Sequence, residues 1–231
     1  MTFDHINQLA RDTPWAHGAV LAYASFGAVL FAALLVAGWW TARGRDARTM
    51  AAALWAGAAT LLAVALNQPL VAAVHEPRPY TVRTHILVLA QRSADPSFPS
   101  DHAVMAGAVA AGLCLVSRRL GAVAATAALL MAFARVYIGA HYPRDVLAGL
   151  AVGALVTVVG WSLVHRPLLG AVERARSGPL RPLVASAEGC PAERTTHRNV
   201  GWSSPQARCA ELSCSYTRTR LRPAFLAAYR A

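Results

Sequence analysis

Three polar residues at a fixed spacing give this chain its clearest chemical signal. Arg135, His141 and Asp145 follow the order Arg-x5-His-x3-Asp and lie beside a long apolar run. A guanidinium group binds phosphate oxygens, an imidazole can attack phosphorus, and a nearby carboxylate can orient that imidazole. Charged groups close to hydrocarbon are costly and tend to be functional. The pattern therefore favours a site that binds an anion and transfers a phosphoryl group.

Two further clusters contain residues of the same types. Glu76-Pro77-Arg78-Pro79 supplies a second arginine, and Pro99-Ser100-Asp101-His102 supplies a hydroxyl, a carboxylate and a second histidine. Phosphoryl transfer concentrates negative charge on the equatorial oxygens, so two arginines can stabilise it without a metal. We therefore expect neither a metal nor a cofactor. One histidine must be neutral to attack and the other protonated to donate, which predicts a bell-shaped pH profile.

The same residues also have interpretations without chemistry. Arg135 and Asp145 could form an ion pair at a membrane interface, and Arg78 between its prolines could simply stabilise a turn. Ser100 or Asp101 could cap a helix, which is compatible with catalysis by the next residue. Of the six histidines outside the motifs, four are expected at the membrane interface rather than in catalysis: His5, His17, His75 and His85.

The composition indicates a polytopic membrane protein. Of 231 residues, 56% are hydrophobic and 14% are charged, whereas a soluble domain carries about 25% charged residues. Five runs without charge predict an all-α bundle of five or six helices: 18–40, 49–74, 103–117, 120–134 and 146–164. The third and fourth runs are shorter than the roughly 20 residues that a spanning helix needs. They can cross only if His102 and Arg135 lie at or inside one membrane face.

Local signals add detail to this bundle. Pro69 should kink the second helix, and the preceding amides Asn67 and Gln68 can satisfy freed backbone groups or line a cavity. Arg118-Arg119 is expected to form a tight turn between the third and fourth helices. Residues 84–89 are expected to form an interfacial helix or a loop over the site. Gly149-x3-Gly153 permits close helix contact.

The distribution of arginine predicts the orientation. All 22 basic residues are arginine and the net charge is +11. The connections after the first, third and fifth runs are rich in arginine, so the positive-inside rule places them in the cytoplasm. The three motifs then lie together on the extracytoplasmic face. No motif typical of nucleic-acid binding is found, and the four cysteines match no zinc or redox spacing.

The chain divides into three predicted regions. Residues 1–16 are polar and are expected to be an interfacial segment rather than a cleavable signal peptide. Residues 17–166 form the membrane-embedded domain. Residues 167–231 form a basic cytoplasmic tail, whose composition changes from about residue 177 in a way typical of disorder.

The three clusters resemble the motifs of the type 2 phosphatidic acid phosphatase superfamily, which are Lys-x6-Arg-Pro, Pro-Ser-Gly-His and Ser-Arg-x5-His-x3-Asp. The resemblance covers roughly residues 51–164. Asp101 in place of glycine, with Glu-Pro-Arg-Pro and Ser-Phe-Pro-Ser-Asp-His, is most similar to the bacitracin-resistance type of undecaprenyl diphosphate phosphatase. The chain departs from the superfamily pattern at Val71, where lysine is usual, and at Ala134, where serine is usual.

This resemblance implies a role for each motif residue. His141 is the nucleophile that forms a phosphohistidine, Asp145 orients it, and His102 protonates the leaving oxygen. Four residues form the implied substrate-binding set: Arg78, Arg135, Ser100 and Asp101.

The implied activity is metal-independent hydrolysis of undecaprenyl diphosphate to the monophosphate and inorganic phosphate. It would take place outside the cytoplasm at the plasma membrane and return the lipid carrier to peptidoglycan synthesis. One alternative is a broader phosphatase for phosphatidic acid or phosphatidylglycerol phosphate. Another is a non-catalytic protein that binds or transports lipid phosphate, but such a protein would need the arginines and not the nucleophile.

Overall fold

The computed structural model describes residues 2–186, and every regular element in this range is helical. The predicted all-α class is confirmed. In chain order the helices are α1 Phe3–Asp12, α2 His17–Arg43, α3 Ala47–Val74, α4 Pro79–Val82, α5 Asp101–Val116, α6 Arg118–Tyr137, α7 Pro143–Arg176 and α8 Arg181–Val184, with a 3-10 turn, Pro14–Ala16, before α2.

Within residues 2–186, four segments are long and apolar enough to cross a membrane: Pro14–Arg43, Ala47–Val82, Arg118–Tyr137 and Pro143–Arg176. The fifth apolar helix, α5, has only 16 residues. It packs against α3, α6 and α7, and most of its side chains are buried in the bundle. A helix enclosed by protein does not have to match the hydrocarbon thickness by itself. This explains how a run that is short for a span can form the centre of a membrane bundle.

Small residues allow the backbones of α5 and α7 to approach closely. A Cβ atom on Gly149 would lie 2.8 Å from the carbonyl oxygen of Ser100, and one on Gly153 would overlap the backbone of Val104. The close contact predicted from Gly149-x3-Gly153 is therefore present. It also holds the start of α5 against the start of α7, where the backbone N–H of Ser100 donates to the carbonyl of Asp145 at 3.3 Å.

The connection between α5 and α6 differs from the expectation. Arg118 and Arg119 do not form the turn but occupy the first turn of α6, and Ser117 alone connects the helices in an extended conformation. Gly121 makes this possible, because a Cβ atom there would lie 2.7 Å from the Cα of Cys114. The two helices can therefore pack together directly after the single connecting residue, without a longer loop.

The segment between α4 and α5 is a loop, which was one of the two forms expected for residues 84–89. Hydrogen bonds hold it against the end of α6, since the N–H groups of Leu89 and Ala90 both donate to the carbonyl of Ile138, at 3.0 and 3.1 Å. Asn7 of α1 also binds this loop: its side-chain amide donates to the carbonyl of Leu87 at 2.8 Å and accepts from the N–H of Leu87 at 3.0 Å. The N-terminal helix thus holds the loop in place.

The predicted start of the tail at residue 167 falls inside α7, which contains Pro167 and continues to Arg176. The chain then returns to α2: the Trp39 indole donates to the carbonyl of Leu183 at 3.1 Å, and the Ser186 N–H donates to the carbonyl of Arg43 at 2.9 Å. The rest of the predicted tail, 187–231, lies outside the described residues.

Candidate active site

The three motifs meet where α6 ends and α5 and α7 begin. Arg135 lies in the last turn of α6, His141 in the short connection that follows, and Asp145 in the first turn of α7. Gly139 allows this connection to be tight, since it has a φ of 77° and a Cβ atom on it would lie 2.7 Å from the carbonyl oxygen of Leu87. The helix geometry therefore brings the Arg-x5-His-x3-Asp residues to one place.

His141 is buried, with 3% of its surface exposed. Its Nδ1 lies 2.8 Å from the carbonyl oxygen of Ser97. Its Nε2 lies 3.3 Å from Nη2 of Arg135 and 3.4 Å from Nη1 of Arg78. A carbonyl only accepts and a guanidinium only donates, so Nδ1 carries the hydrogen and the lone pair of Nε2 faces the two arginines.

The surroundings of His141 favour its neutral form. Burial, and then the positive charges of Arg135 and Arg78, hold the pKa of the His141 imidazole well below its usual range. A neutral imidazole whose Nε2 is unprotonated can act as a nucleophile once the two arginines turn to the phosphate.

Asp145 is completely buried but is not hydrogen-bonded to the histidine directly. Its Oδ2 lies 3.9 Å from Nδ1 of His141. The same oxygen accepts hydrogen bonds from the Ser97 hydroxyl at 2.5 Å and from the Tyr142 N–H at 2.9 Å. The Ser97 hydroxyl is also 3.3 Å from Nδ1. Asp145 therefore reaches the imidazole through Ser97.

Sequence reasoning did not assign a role to Ser97. The only available signal was its place at the start of Ser97-Phe98-Pro99-Ser100-Asp101-His102, because its main contact with His141 uses a backbone carbonyl. Its own N–H donates to the carbonyl of Glu76 at 2.7 Å. Ser97 thus connects the first, second and third motifs.

Both arginines are half-buried and fixed by backbone carbonyls. Arg78 donates from Nε to the carbonyl of Asp95 at 2.8 Å, and Arg135 donates to the carbonyl of Ala24 at 3.5 Å. Within residues 2–186 neither arginine pairs with a carboxylate. The ion pair considered between Arg135 and Asp145 is therefore not formed there, and both guanidinium charges are available to an anion.

A cavity of about 720 Å³ opens beside these groups. Five of the predicted site residues line it: Arg78, Asp101, His102, Arg135 and His141. Asp145 is not among the lining residues and lies behind His141. Ser100 is also buried outside the lining, where it precedes α5, and its hydroxyl has no hydrogen-bond partner in the described part of the chain. The structure thus brings all seven residues together, five at the cavity and two beside it.

The two amides before Pro69 hold Asp101. Oδ1 of Asp101 accepts from Nδ2 of Asn67 at 2.7 Å and from Nε2 of Gln68 at 3.1 Å. Gln68 also lines the cavity, as expected for amides at this position. His75, which was expected at the membrane interface, also lines this cavity.

Glu76 and Arg144 form an ion pair at the edge of the site. Nε of Arg144 lies 3.7 Å from Oδ1 of Asp145, so this pair borders the buried carboxylate. Glu76 of the first motif is therefore paired with an arginine. Residues 2–186 contain no group of three or more His, Cys, Asp or Glu side chains arranged to hold a metal ion.

Comparisons with known proteins show the family to which this chain is similar. Residues 52–168, just over half of the chain, match the family model described as the PAP2 superfamily. The undecaprenyl-diphosphatase BcrC of Bacillus subtilis is 28% identical over 154 residues, which cover 67% of this chain and 78% of that protein. A lipid A 1-phosphatase of Rhizobium johnstonii is 36% identical over 108 residues, 47% of this chain and 39% of that protein. The crystal structure of Aquifex aeolicus LpxE aligns with a TM-score of 0.45 at 21% identity, covering 69% of this chain and 92% of that one.

Proposed function

Because this chain belongs to the PAP2 superfamily, we propose that it hydrolyses undecaprenyl diphosphate to undecaprenyl phosphate and inorganic phosphate. One observation carries the proposal: the lone pair of Nε2 on His141 faces the guanidinium groups of Arg78 and Arg135 at 3.4 and 3.3 Å. Nucleophile and phosphate-binding cations therefore share one corner of the cavity. A phosphate bound there presents its phosphorus atom to Nε2.

In the first step Nε2 of His141 attacks the terminal phosphorus, and the bond to the bridging oxygen breaks. Nδ1 of His141 keeps its hydrogen and donates it in a hydrogen bond to the Ser97 carbonyl, and the buried carboxylate of Asp145 stabilises the positive charge that forms on the imidazole. Arg78 and Arg135 neutralise the charge on the equatorial oxygens. His102, which lines the same cavity, donates a proton to the leaving lipid monophosphate.

In the second step water hydrolyses the phosphohistidine. His102 has lost its proton in the first step and now accepts one from the attacking water. The phosphorus–nitrogen bond breaks, inorganic phosphate is released, and His141 returns to its neutral form. Each group therefore ends the cycle in its initial state, and the charge is supplied by arginines without a metal.

The lipid diphosphate is supported by two observations. A relative that matches 67% of this chain is named an undecaprenyl-diphosphatase, and helices of the bundle are apolar enough to lie in a bilayer. The similarity to a lipid A 1-phosphatase favours a second candidate, the removal of phosphate from another membrane lipid. Phosphatidic acid and phosphatidylglycerol phosphate belong to the same alternative.

The proposal is tested with purified protein and a panel of these lipids. Phosphate release should have its highest kcat/KM on undecaprenyl diphosphate and should be absent in His141→Ala, because no other nucleophile is proposed. A higher kcat/KM on a lipid monophosphate would favour the second candidate. Binding of lipid phosphate with no release, in wild type and variant alike, would instead indicate a binder or transporter.

A further inference from the structure

The cavity has a second wall, formed by the C-terminal end of α3. Its lining residues there are Gln68, Val71, Ala72 and His75. Val71 and His75 are four residues apart and so lie on one face of the helix end. His75 is the residue that ends α3, with φ 50° and ψ 33°, a left-handed conformation that is uncommon for residues other than glycine. An uncommon backbone conformation at a cavity wall invites a functional explanation.

The helix end makes this wall unfavourable for an anion unless a cation lies there. The last carbonyl groups of α3 carry partial negative charge, which repels phosphate and attracts a cation. His75 meets this requirement: its Nδ1 lies 2.8 Å from the carbonyl oxygen of Ala72, which fixes the ring at the helix end. In the imidazolium form Nδ1–H donates to this carbonyl and Nε2–H is free to donate to an anion.

The polar side chains beside His75 on this wall cannot supply this positive charge. The amide of Gln68 is engaged by Asp101, and the Asp101 carboxylate can only accept hydrogen bonds while it is ionised. Of the five basic side chains that line the cavity in residues 2–186, four are already placed in the reaction: Arg78, His102, Arg135 and His141. His75 is the fifth.

We propose that His75 binds the second, lipid-linked phosphate of a diphosphate and thereby favours diphosphates over monophosphates. This inference rests on the proposed function. The two phosphates share a bridging oxygen, so the second site must adjoin the first, and His75 precedes Arg78 by three residues on the same cavity. Apolar side chains also line this cavity, among them Leu21, Val71 and Ala72, which suits the end of the substrate that carries the lipid chain.

The test compares two inhibitors of the hydrolysis of whichever lipid phosphate the wild-type protein turns over. Inorganic pyrophosphate occupies both phosphate sites and inorganic phosphate only the first. In His75→Asn the left-handed backbone is retained, because asparagine tolerates it, but the imidazole, with its Nε2 donor to the anion, is lost. The Ki of pyrophosphate should rise about tenfold, as expected for one lost charge-assisted hydrogen bond, while the Ki of phosphate stays unchanged.

A rescue variant distinguishes the charge from the shape of the loop. Adding Val71→Lys to His75→Asn places a cation one turn earlier on the same wall and should restore pyrophosphate inhibition. An equal change in both Ki values, or none in either, would overturn the role of His75. If His75→Asn does not fold, His75→Gly, which also accepts the left-handed backbone and also removes the imidazole, carries the same test with the same expected rise in the Ki of pyrophosphate alone.

The outcome separates this inference from the function on which it rests. The lipid panel with wild-type protein decides the substrate. The Ki ratio decides the second phosphate site, because it is measured with inorganic ligands. A wild type that prefers the diphosphate, together with a Ki ratio that His75→Asn leaves unchanged, would overturn only the His75 inference.

Discussion

Nδ1 of His141 lies 2.8 Å from the carbonyl oxygen of Ser97 but 3.9 Å from the carboxylate of Asp145. The backbone carbonyl therefore fixes which nitrogen carries the hydrogen, and Asp145 acts through the Ser97 hydroxyl and through its buried charge. Two functions that a single carboxylate could perform, orientation and charge stabilisation, are here divided between two residues.

This division predicts different losses for two substitutions. Ser97→Ala removes the hydroxyl and keeps the carbonyl, so kcat should fall about tenfold, the equivalent of one hydrogen bond to a charged group. Asp145→Asn removes the charge that stabilises the imidazolium and should lower kcat by roughly two to four orders of magnitude. Steady-state kinetics with a thermal unfolding control measures both.

The double variant checks the coupling between these residues. Because the Ser97 hydroxyl acts on the Asp145 carboxylate, the two losses should not add. Ser97→Ala with unchanged kcat, or fully additive losses, would mean that Asp145 acts without Ser97.

The environment of His141 predicts the acid limb of the pH profile. Burial, with Arg135 and Arg78 nearby, lowers the pKa of its imidazole, so the nucleophile remains neutral as the pH falls past the usual histidine value of about 6.5. Activity should be lost only below that value, when the imidazole becomes protonated. The measurement is kcat/KM against pH, which reports the free protein.

A variant checks the cause of this shift. Arg78→Gln removes one of the two positive neighbours, so the pKa of His141 should rise and the acid limb should move to higher pH, whatever the loss in absolute rate. An acid limb at or above the usual histidine value in the wild type would contradict a neutral, buried nucleophile.

Chelation tests the source of the positive charge. Arg78 and Arg135 both contact Nε2 of His141 and have no carboxylate partner within residues 2–186, so they can neutralise the phosphate directly. Phosphate release should be unchanged after treatment with EDTA. Loss of activity in EDTA, with recovery on addition of magnesium or another divalent ion, would require a mechanism in which a metal supplies the charge.

The parts of the site that could be predicted depend on side-chain type and local spacing. Arg135, His141 and Asp145 lie within eleven residues around one helix junction, so their spacing alone places them together. Arg78 and His102 lie far away in sequence. Their placement in the cavity follows from tertiary contacts rather than from any local rule: Arg78 donates to the carbonyl of Asp95, and α5 packs against α3, α6 and α7.

The parts that could not be predicted depend on backbone atoms and tertiary contacts. Ser97 binds His141 through a carbonyl that every residue type has. His75 reaches the cavity because α3 continues past Pro69 to Val74, and a proline in a sequence predicts a kink without predicting where the helix ends. The short run in α5 looked marginal as a span, since its burial by α3, α6 and α7 is invisible in the sequence.

Topology gives the final prediction. The loop from residue 83 to 100 borders the cavity at one end of the bundle. Helix α7 contains the fifth apolar run, and the C-terminal end of this helix is rich in arginine. If the positive-inside rule holds here, the cavity opens outside the cytoplasm and the substrate is hydrolysed at the outer leaflet. Two exposed positions report on the two ends, Ala94 in the loop and Ser177 just after α7, and either can be changed to cysteine with little change in size.

Each cysteine is introduced alone into a background from which the four native cysteines have been removed. Ala94→Cys should react with a membrane-impermeant thiol reagent in intact cells or spheroplasts, whereas Ser177→Cys should react only after permeabilisation. Phosphate release by each variant serves as the control for a native fold. The reverse labelling pattern would place Arg78 and Arg135 at the cytoplasmic face. The diphosphate would then have to be hydrolysed before its headgroup crosses the membrane.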